Sequence, residues 1–162
     1  MLAYLFWHRP RRGVEAGEYE EAQRRFHARL EVSSACFRLE ELPFEAGAGY
    51  EDWYLVEGWQ QLGELNALAV DSAHRPDHDR AATLAGAGWG AVYTSIRGPA
   101  SIPIEARWQH KRGDETVEDL LAEVGDDTPI WQRQLVLGPA PELCIGSGGS
   151  PRHSVVPLSS IS

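Results

Sequence analysis

The densest group of side chains that could do chemistry lies between residues 71 and 79, where aspartates and histidines are interspersed. His74 and His78 are four residues apart, and histidines at this spacing on a helix share one face and can bind one metal ion. With Asp77 as a carboxylate ligand, we predict a metal site of His74, His78 and Asp77. Pro76 disturbs a regular helix between the two histidines. The alternative is a polar loop or kinked turn in which Asp77 caps the next helical segment.

A second set combines residues that lie far apart in the sequence. His8 ends the first apolar segment, and Asn66 lies within a helical pattern. Because the unperturbed pKa of histidine is about 6.5, His8 could act as a general base. We therefore predict His8, Asn66 and His74 as catalytic residues, with His78 as the alternative to His74. The competing interpretation is that His8 is an ordinary residue at the end of a strand.

Aromatic side chains are concentrated in the predicted strands. The sequence has six tryptophans, and all of them lie in or at the ends of strand-like segments. Large flat rings suit aromatic ligands and subunit interfaces. We predict a ligand pocket formed by Tyr4, Phe6, Trp53 and Trp89. The alternative is that these rings only pack the core or an interface.

Charge and composition exclude several classes of function. The chain has 15 basic and 24 acidic residues, so its net charge is −9. Because such a surface repels phosphate backbones, we expect no nucleic-acid partner. No apolar run reaches the roughly 18 residues of a membrane helix, and residues 1–10 lack the features of a signal peptide. We expect a cytoplasmic protein without membrane contact, in which Cys36 and Cys144 are buried free thiols.

Hydrophobic periodicity predicts a β-α-β-β-α-β order within the first hundred residues. The predicted strands are 3–8, 34–42, 52–59 and 89–97, and the predicted helices are 18–30 and 61–72, with a short helical segment over 77–85. This order is the ferredoxin-like motif, an antiparallel sheet with its helices on one face. A β-α-β pattern follows over 105–111, 116–124 and 130–137, and a short strand over 143–145.

We therefore predict an α+β fold, a ferredoxin-like βαββαβ sheet extended by a C-terminal β-α-β segment. The predicted domain bounds are 1–99 for the ferredoxin-like domain, 100–146 for the added half-repeat and 147–162 for a surface tail rich in Ser, Gly and Pro.

The strand 4–8, the helix 19–30 and the strands 51–56 and 90–93 resemble the dimeric α+β barrel superfamily over about residues 1–100. This group includes antibiotic-biosynthesis-type monooxygenases, EthD-like proteins and haem-degrading oxygenases. The resemblance implies two sheets facing each other around a small-molecule pocket, in a homodimer or a fused pair. Haem-degrading members use an Asn, a Trp and a His, residue types that Asn66, Trp89 and His74 or His78 could supply.

Together these patterns predict a small-molecule-binding α+β barrel with an oxygenase or isomerase reaction in a pocket on the sheet face. The alternative is a non-catalytic binding or assembly protein whose aromatic sheet face is a subunit interface. Whether the protein is an enzyme stays open. We expect a homodimer with a small-molecule ligand. Haem and a divalent metal are both compatible with the pattern, and neither is indicated over the other.

Overall fold

The computed structural model describes residues 1–69, 71, 73, 75–136 and 138–157. They form eight strands and four helices in the following order: β1 Leu2–Pro10, α1 Ala16–His27, β2 Ser34–Leu39, β3 Gly49–Val56, α2 Trp59–Ala69, α3 Arg75–Leu84, β4 Ala85–Arg97, β5 Glu105–Gln109, α4 Val117–Leu120, β6 Ile130–Val136, β7 Leu143–Pro151 and β8 His153–Val156.

All eight strands belong to one antiparallel sheet, in the order β5-β7-β6-β4-β1-β3-β2-β8. The long strand β1 lies in the middle, between β3 and β4. The two edge strands, β5 and β8, are only five and four residues long. Short edges expose few unpaired backbone groups to other chains.

Alternating side chains give the sheet two different faces. On β1, Leu5 and Trp7 belong to one buried cluster, and Tyr4 and Phe6 pack against another. We call the face that carries Leu5 and Trp7 the inner face, and the face that carries Tyr4 and Phe6 the helix-covered face. On the helix-covered face, α1 contacts α3 and β8, α2 contacts β3, and α3 contacts β4.

The sheet curls into a half-barrel around its inner face. Trp108, on edge strand β5, lies with its ring centroid 5.2 Å from that of Trp7 and 6.1 Å from that of Trp53. Strands β7, β6 and β4 separate β5 from β1 in the sheet, so only strong curvature can bring these rings together. The inner face is therefore filled by side chains of this same chain.

The predicted ferredoxin-like βαββαβ fold with a C-terminal β-α-β extension is wrong. Strand β6 pairs with β4 on one side, and β8 pairs with β2 on the other. The C-terminal strands thus continue the sheet in both directions, and the result is one eight-stranded half-barrel. The physical reason is that β2 and β4 would otherwise each present an edge of unpaired backbone N–H and C=O groups, which strands from later in the chain satisfy.

Most individual elements were predicted with shifted ends. Trp59, predicted to end the third strand, instead begins α2. The helix predicted over 116–124 is a single turn, α4, whose preceding residue Thr116 forms a capping box with Asp119. Residues 147–156, expected as a surface tail, include the end of β7 and the whole of β8.

Candidate functional site

A buried carboxylate, Asp52, lies at the centre of the polar cluster on the helix-covered face. Its position in β3 is fixed by pairing with Phe6 of β1 on one side and Cys36 of β2 on the other. Only 2% of Asp52 is exposed. Since an isolated charge is very unfavourable in such a place, Asp52 must be stabilised by neighbouring groups.

Two histidines from different elements approach the Asp52 carboxylate. His8 of β1 places its Nε2 3.0 Å from Asp52 Oδ2, and His27 of α1 places its Nε2 3.4 Å from Asp52 Oδ1. Both histidines are buried. His27 ends α1 two turns after Tyr19, so the face of α1 that meets the sheet delivers both side chains to the cluster.

Hydroxyl groups surround the carboxylate and the two imidazoles. The Tyr54 hydroxyl donates to Asp52 Oδ2 over 2.9 Å. The Nδ1 atom of His8 lies 2.5 Å from the Tyr19 hydroxyl oxygen, and Nδ1 of His27 lies 2.9 Å from the Ser34 hydroxyl oxygen. Each imidazole is thus held at its Nδ1 atom by a hydroxyl group, with its Nε2 atom facing the Asp52 carboxylate. We call Asp52, His8, His27, Tyr19 and Tyr54 the Asp52 cluster.

Electrostatics keep Asp52 ionised and its hydroxyl and thiol neighbours neutral. Burial would raise the pKa of Asp52, but charge interactions and hydrogen bonds with His8 and His27 outweigh it and hold that pKa well below its usual range. Burial, reinforced by the Asp52 charge, raises the pKa of Tyr19, of Tyr54 and of the Cys36 thiol.

The hydrogen bonding of the Asp52 cluster is incomplete. Among the described residues, His8 Nε2 and Asp52 Oδ1 have no partner in an aligned hydrogen bond, although both atoms are buried. The contact of His8 Nε2 with Asp52 is short, but its geometry is not that of a hydrogen bond. Unpaired buried polar atoms are rare and call for a specific explanation.

A pocket of about 850 Å³ opens next to the cluster, between the helices and the sheet. Asp52 and Tyr54 contribute to its wall, and the exposed side chains of Trp59 and Leu135 also line it. Most of the remaining lining is apolar: Tyr4, Phe6, Phe26, Leu30, Leu62, Gly63, Leu65, Ala69, Ala81, Ala82, Ala85, Gly86, Ala87, Gly88 and Val92, with Gln23, Asn66 and His78 as the other polar residues. Gly88 is needed here because a Cβ at this position would overlap the Phe6 ring.

A second buried carboxylate, Glu51, lies directly beside Asp52 in the sequence but on the inner face. Its two oxygens accept hydrogen bonds from the indole N–H groups of Trp7 (2.8 Å) and Trp53 (2.6 Å). Arg152, between β7 and β8, forms a salt bridge with Glu51 and stacks over the Phe37 ring. Glu51 is therefore fully partnered within the sealed inner face.

The predicted catalytic residues are only partly brought together. His8 is 1% exposed, and it belongs to the Asp52 cluster and not to the pocket lining. Asn66 of α2 and His78 of α3 both line the pocket. His74 lies outside the described residues.

The predicted ligand pocket is divided between the two faces of the sheet. Tyr4 and Phe6 line the pocket on the helix-covered face. Trp53 and Trp89 belong to the inner face, where Trp53 is fully buried and Trp89 packs against Phe44. Asn66 and Trp89, which the family resemblance would combine in one site, are thus on opposite sides of the sheet.

The two described members of the predicted metal site make separate contacts. His78 Nδ1 lies 3.1 Å from Asp79 Oδ1, and Asp77 accepts a hydrogen bond from Arg29 over 3.2 Å. The third member, His74, lies outside the described residues. The two buried thiols expected at Cys36 and Cys144 are confirmed.

Sequence reasoning missed most of the Asp52 cluster, although two signals were present. Tyr19, Gln23 and His27 recur every four residues, so one edge of the apolar stripe of α1 carries polar groups. Glu51 and Asp52 interrupt an otherwise apolar strand, and charges in such a segment indicate partnered buried groups. What the sequence could not supply was the strand register that places Asp52 next to Cys36 and between the two histidines.

Comparison with known proteins gives this site no precedent. Among the described residues, no helix combines the length and hydropathy required to span a membrane. The chain matches no family model, no curated protein and no solved structure.

Proposed function

We propose that this protein binds a small, largely apolar molecule in the pocket on the helix-covered face. The observation that carries the proposal is the pocket of about 850 Å³ with an apolar lining and one polar wall at Asp52 and Tyr54. Ligand sites are typically cavities of about 300–1,000 Å³ that combine apolar walls with a few polar groups. The volume and the lining both fit this description.

The approach to the pocket also favours an apolar ligand. Trp59 is 57% exposed and Leu135 is 49% exposed, and both line the pocket. Large apolar side chains that stay in contact with water beside a cavity are typical of binding sites. Trp59 and Leu135 would be covered when a ligand enters.

Within this site we assign Asp52 and Tyr54 the role of a polar anchor. A general base that works at neutral pH needs a pKa near that pH. The depressed pKa of Asp52 makes it a weak base. His8, the base suggested by the sequence, is buried within the Asp52 cluster and does not line the pocket. The geometry therefore supports binding over acid–base turnover, and the oxygenase or isomerase activity stays a prediction without an assigned residue.

The alternative of an assembly protein with an aromatic interface has less support. Trp7, Trp53 and Trp131 on the inner face are fully buried within the single chain. The family resemblance implied a homodimer or a fused pair in which a second sheet faces the first, and here the inner face is already covered by the curled sheet of the same chain. The dimer stays a prediction, but the aromatic face gives it no free surface.

The test is a fluorescence titration with Nile red, a neutral apolar probe, in buffer that contains a metal chelator. Gly63 lines the pocket and has no atom within 4 Å of an added Cβ, and Gly58 has equally open surroundings but does not line the pocket. We expect Gly63→Trp to weaken probe binding at least about tenfold, a change of about 1.4 kcal/mol. Gly58→Trp is the matched control and should bind as the native protein does. No probe binding, or equal binding by both variants, would contradict the proposal.

A further inference from the structure

We propose that His8, Cys36 and Asp52 form a binding site for a single divalent transition-metal ion, with Zn²⁺ as the ion that best suits the donor set. One ligand atom from each residue lies within 4.8 Å of the others, and all three residues are buried. Imidazole nitrogen, thiolate sulfur and carboxylate oxygen are the three donors that zinc uses in proteins. Ligand atoms around tetrahedral zinc are roughly 3.5 Å apart, so only a small closure is needed.

The unpaired atoms of the cluster point to an ion at this place. His8 Nε2 and Asp52 Oδ1 are buried without an aligned hydrogen bond among the described residues. In the tautomer whose Nδ1 donates to the Tyr19 hydroxyl, the Nε2 atom of His8 carries a lone pair and lies 3.0 Å from Asp52 Oδ2. In this tautomer a bound cation takes the place that a proton on Nε2 would otherwise occupy between the imidazole and the carboxylate. A metal ion would satisfy both atoms at once.

The surroundings of His8 are those of a metal ligand. Metal-binding histidines usually donate their second ring N–H to a hydrogen-bond acceptor, which orients the ring. Tyr19 supplies this acceptor at 2.5 Å. The His8 ring also stacks on Phe6 at 5.5 Å and on Tyr50 at 5.6 Å between ring centroids. The imidazole is therefore preorganised before any ion binds.

The thiol of Cys36 completes the donor set. Zinc binds the thiolate form, so ion binding displaces the proton from Cys36 to solvent while the Cys36 Sγ–metal bond forms, without any redox change. Three protein ligands leave a fourth position open, as in catalytic zinc sites. Asp52 also lines the pocket, so the proposed metal site borders the pocket wall. The metal site does not depend on whether the pocket takes an organic ligand.

Cobalt is the best probe because Co²⁺ replaces Zn²⁺ and is coloured. The untagged full chain, freed of metal with a chelator and then titrated with Co²⁺, should bind one equivalent. We expect visible bands of tetrahedral cobalt and a near-ultraviolet thiolate-to-cobalt charge-transfer band. Cys36→Ser should lose the charge-transfer band. Cys144→Ser is the matched control, since Cys144 is an equally buried thiol in the cluster of the inner face, and it should keep the band.

Further variants separate ligands from neighbours. His8→Gln and Asp52→Asn should weaken Co²⁺ binding by at least about 100-fold, and Tyr19→Phe, which only positions His8, by about 10- to 100-fold. Circular dichroism reports whether each variant is folded.

The site would be refuted by a native protein that binds no cobalt or shows no thiolate band, a result that needs no variant to fold. It would equally be refuted by a folded Cys36→Ser variant that retains the band. The Nile red titration contains a chelator and therefore tests the pocket without a metal ion, whereas the Co²⁺ titration tests the metal site. Either proposal can thus fail without the other.

Discussion

Glu51 and Asp52 are neighbours in β3, yet their surroundings on the two faces of the sheet are opposite in character. Glu51 points into the sealed inner face, where two indole N–H groups and Arg152 satisfy it. Asp52 points to the helix-covered face, beside a pocket, and one of its oxygens has no aligned hydrogen bond among the described residues. Arg152 Nη2 on the inner face is likewise buried without a hydrogen bond, so the contrast concerns the two carboxylates: both Glu51 oxygens are partnered and sealed in, whereas Asp52 has an unpaired oxygen beside a cavity, which indicates a functional role.

The largest difference in the free energy of unfolding should come from replacing the carboxylates of Glu51 and Asp52, one at a time, with amides. Glu51→Gln leaves the Arg152 guanidinium buried without its counter-charge, and since arginine cannot lose its proton, we expect a loss of about 3–5 kcal/mol in the free energy of unfolding. Asp52→Asn should lose only about 1–2 kcal/mol, because the amide keeps the shape of the side chain and its oxygen can still accept the hydrogen bond from the Tyr54 hydroxyl. Urea denaturation at pH 7 measures both.

Arg80→Ala serves as the control for this comparison. It removes an ion pair with Glu18 in which both side chains are about half exposed, and such pairs contribute little. We expect no measurable change in stability. Equal losses for Glu51→Gln and Asp52→Asn would remove the distinction between the two faces.

A smaller effect should distinguish the packing of the two faces. Leu5 is fully buried in the inner-face cluster, whereas Leu62 is half-buried beside the pocket. We expect Leu5→Ala to lower the free energy of unfolding by about 3 kcal/mol. Leu62→Ala should lower it by about 1 kcal/mol or less, since its side chain already borders a cavity. Thermal and urea denaturation of both variants would show whether the inner face is the better packed; a larger loss for Leu62→Ala would contradict this.

The smallest predicted effect is a loss of stability at alkaline pH that depends on Tyr93 of the inner face. The Tyr93 hydroxyl donates a hydrogen bond to the Pro141 carbonyl over 2.6 Å. Burial raises the pKa of Tyr93, so the native phenol keeps its proton at a pH where the unfolded phenol, with a pKa of about 10, loses it. Stability should therefore fall as the pH rises above about 10. Tyr93→Phe should lose about 1 kcal/mol at neutral pH and then decline less steeply. The free energy of unfolding of the native protein and of Tyr93→Phe is measured by urea denaturation between about pH 8 and 11. If it declines equally steeply in both proteins, Tyr93 does not contribute to the loss of stability at alkaline pH.

Local sequence patterns predicted individual elements better than their assembly. The apolar alternation of β1 and the stripe of α1 are properties of contiguous residues, and both elements are present. Strand β8 was missed because its four residues carry no clear alternation, and the pairing with β2 joins segments more than a hundred residues apart. Such pairings depend on which edges remain free, which no local window contains.

For the candidate site, too, the local pattern along one strand was predictable, but the contacts between different elements were not. His8, Tyr4 and Phe6 share one face of β1, a placement that the alternation of side chains along a strand decides by itself. Trp53 and Trp89 were grouped with Tyr4 and Phe6 on the basis of residue type, although the pleat places them on the other face. Asp52 was overlooked because its importance arises from cross-strand neighbours and from His27 of α1.

The pairing of β8 with β2, together with the salt bridge from Arg152 to Glu51, has a consequence for biosynthesis. Glu51 and Arg152 are 101 residues apart, so β3 is synthesised long before the guanidinium that neutralises its carboxylate. Until then the edge of β2 is unpaired, and Glu51 cannot be buried without a counter-charge. Folding of this half-barrel should thus be slow and completed late, and the nascent chain should depend on chaperones that shield an open strand edge.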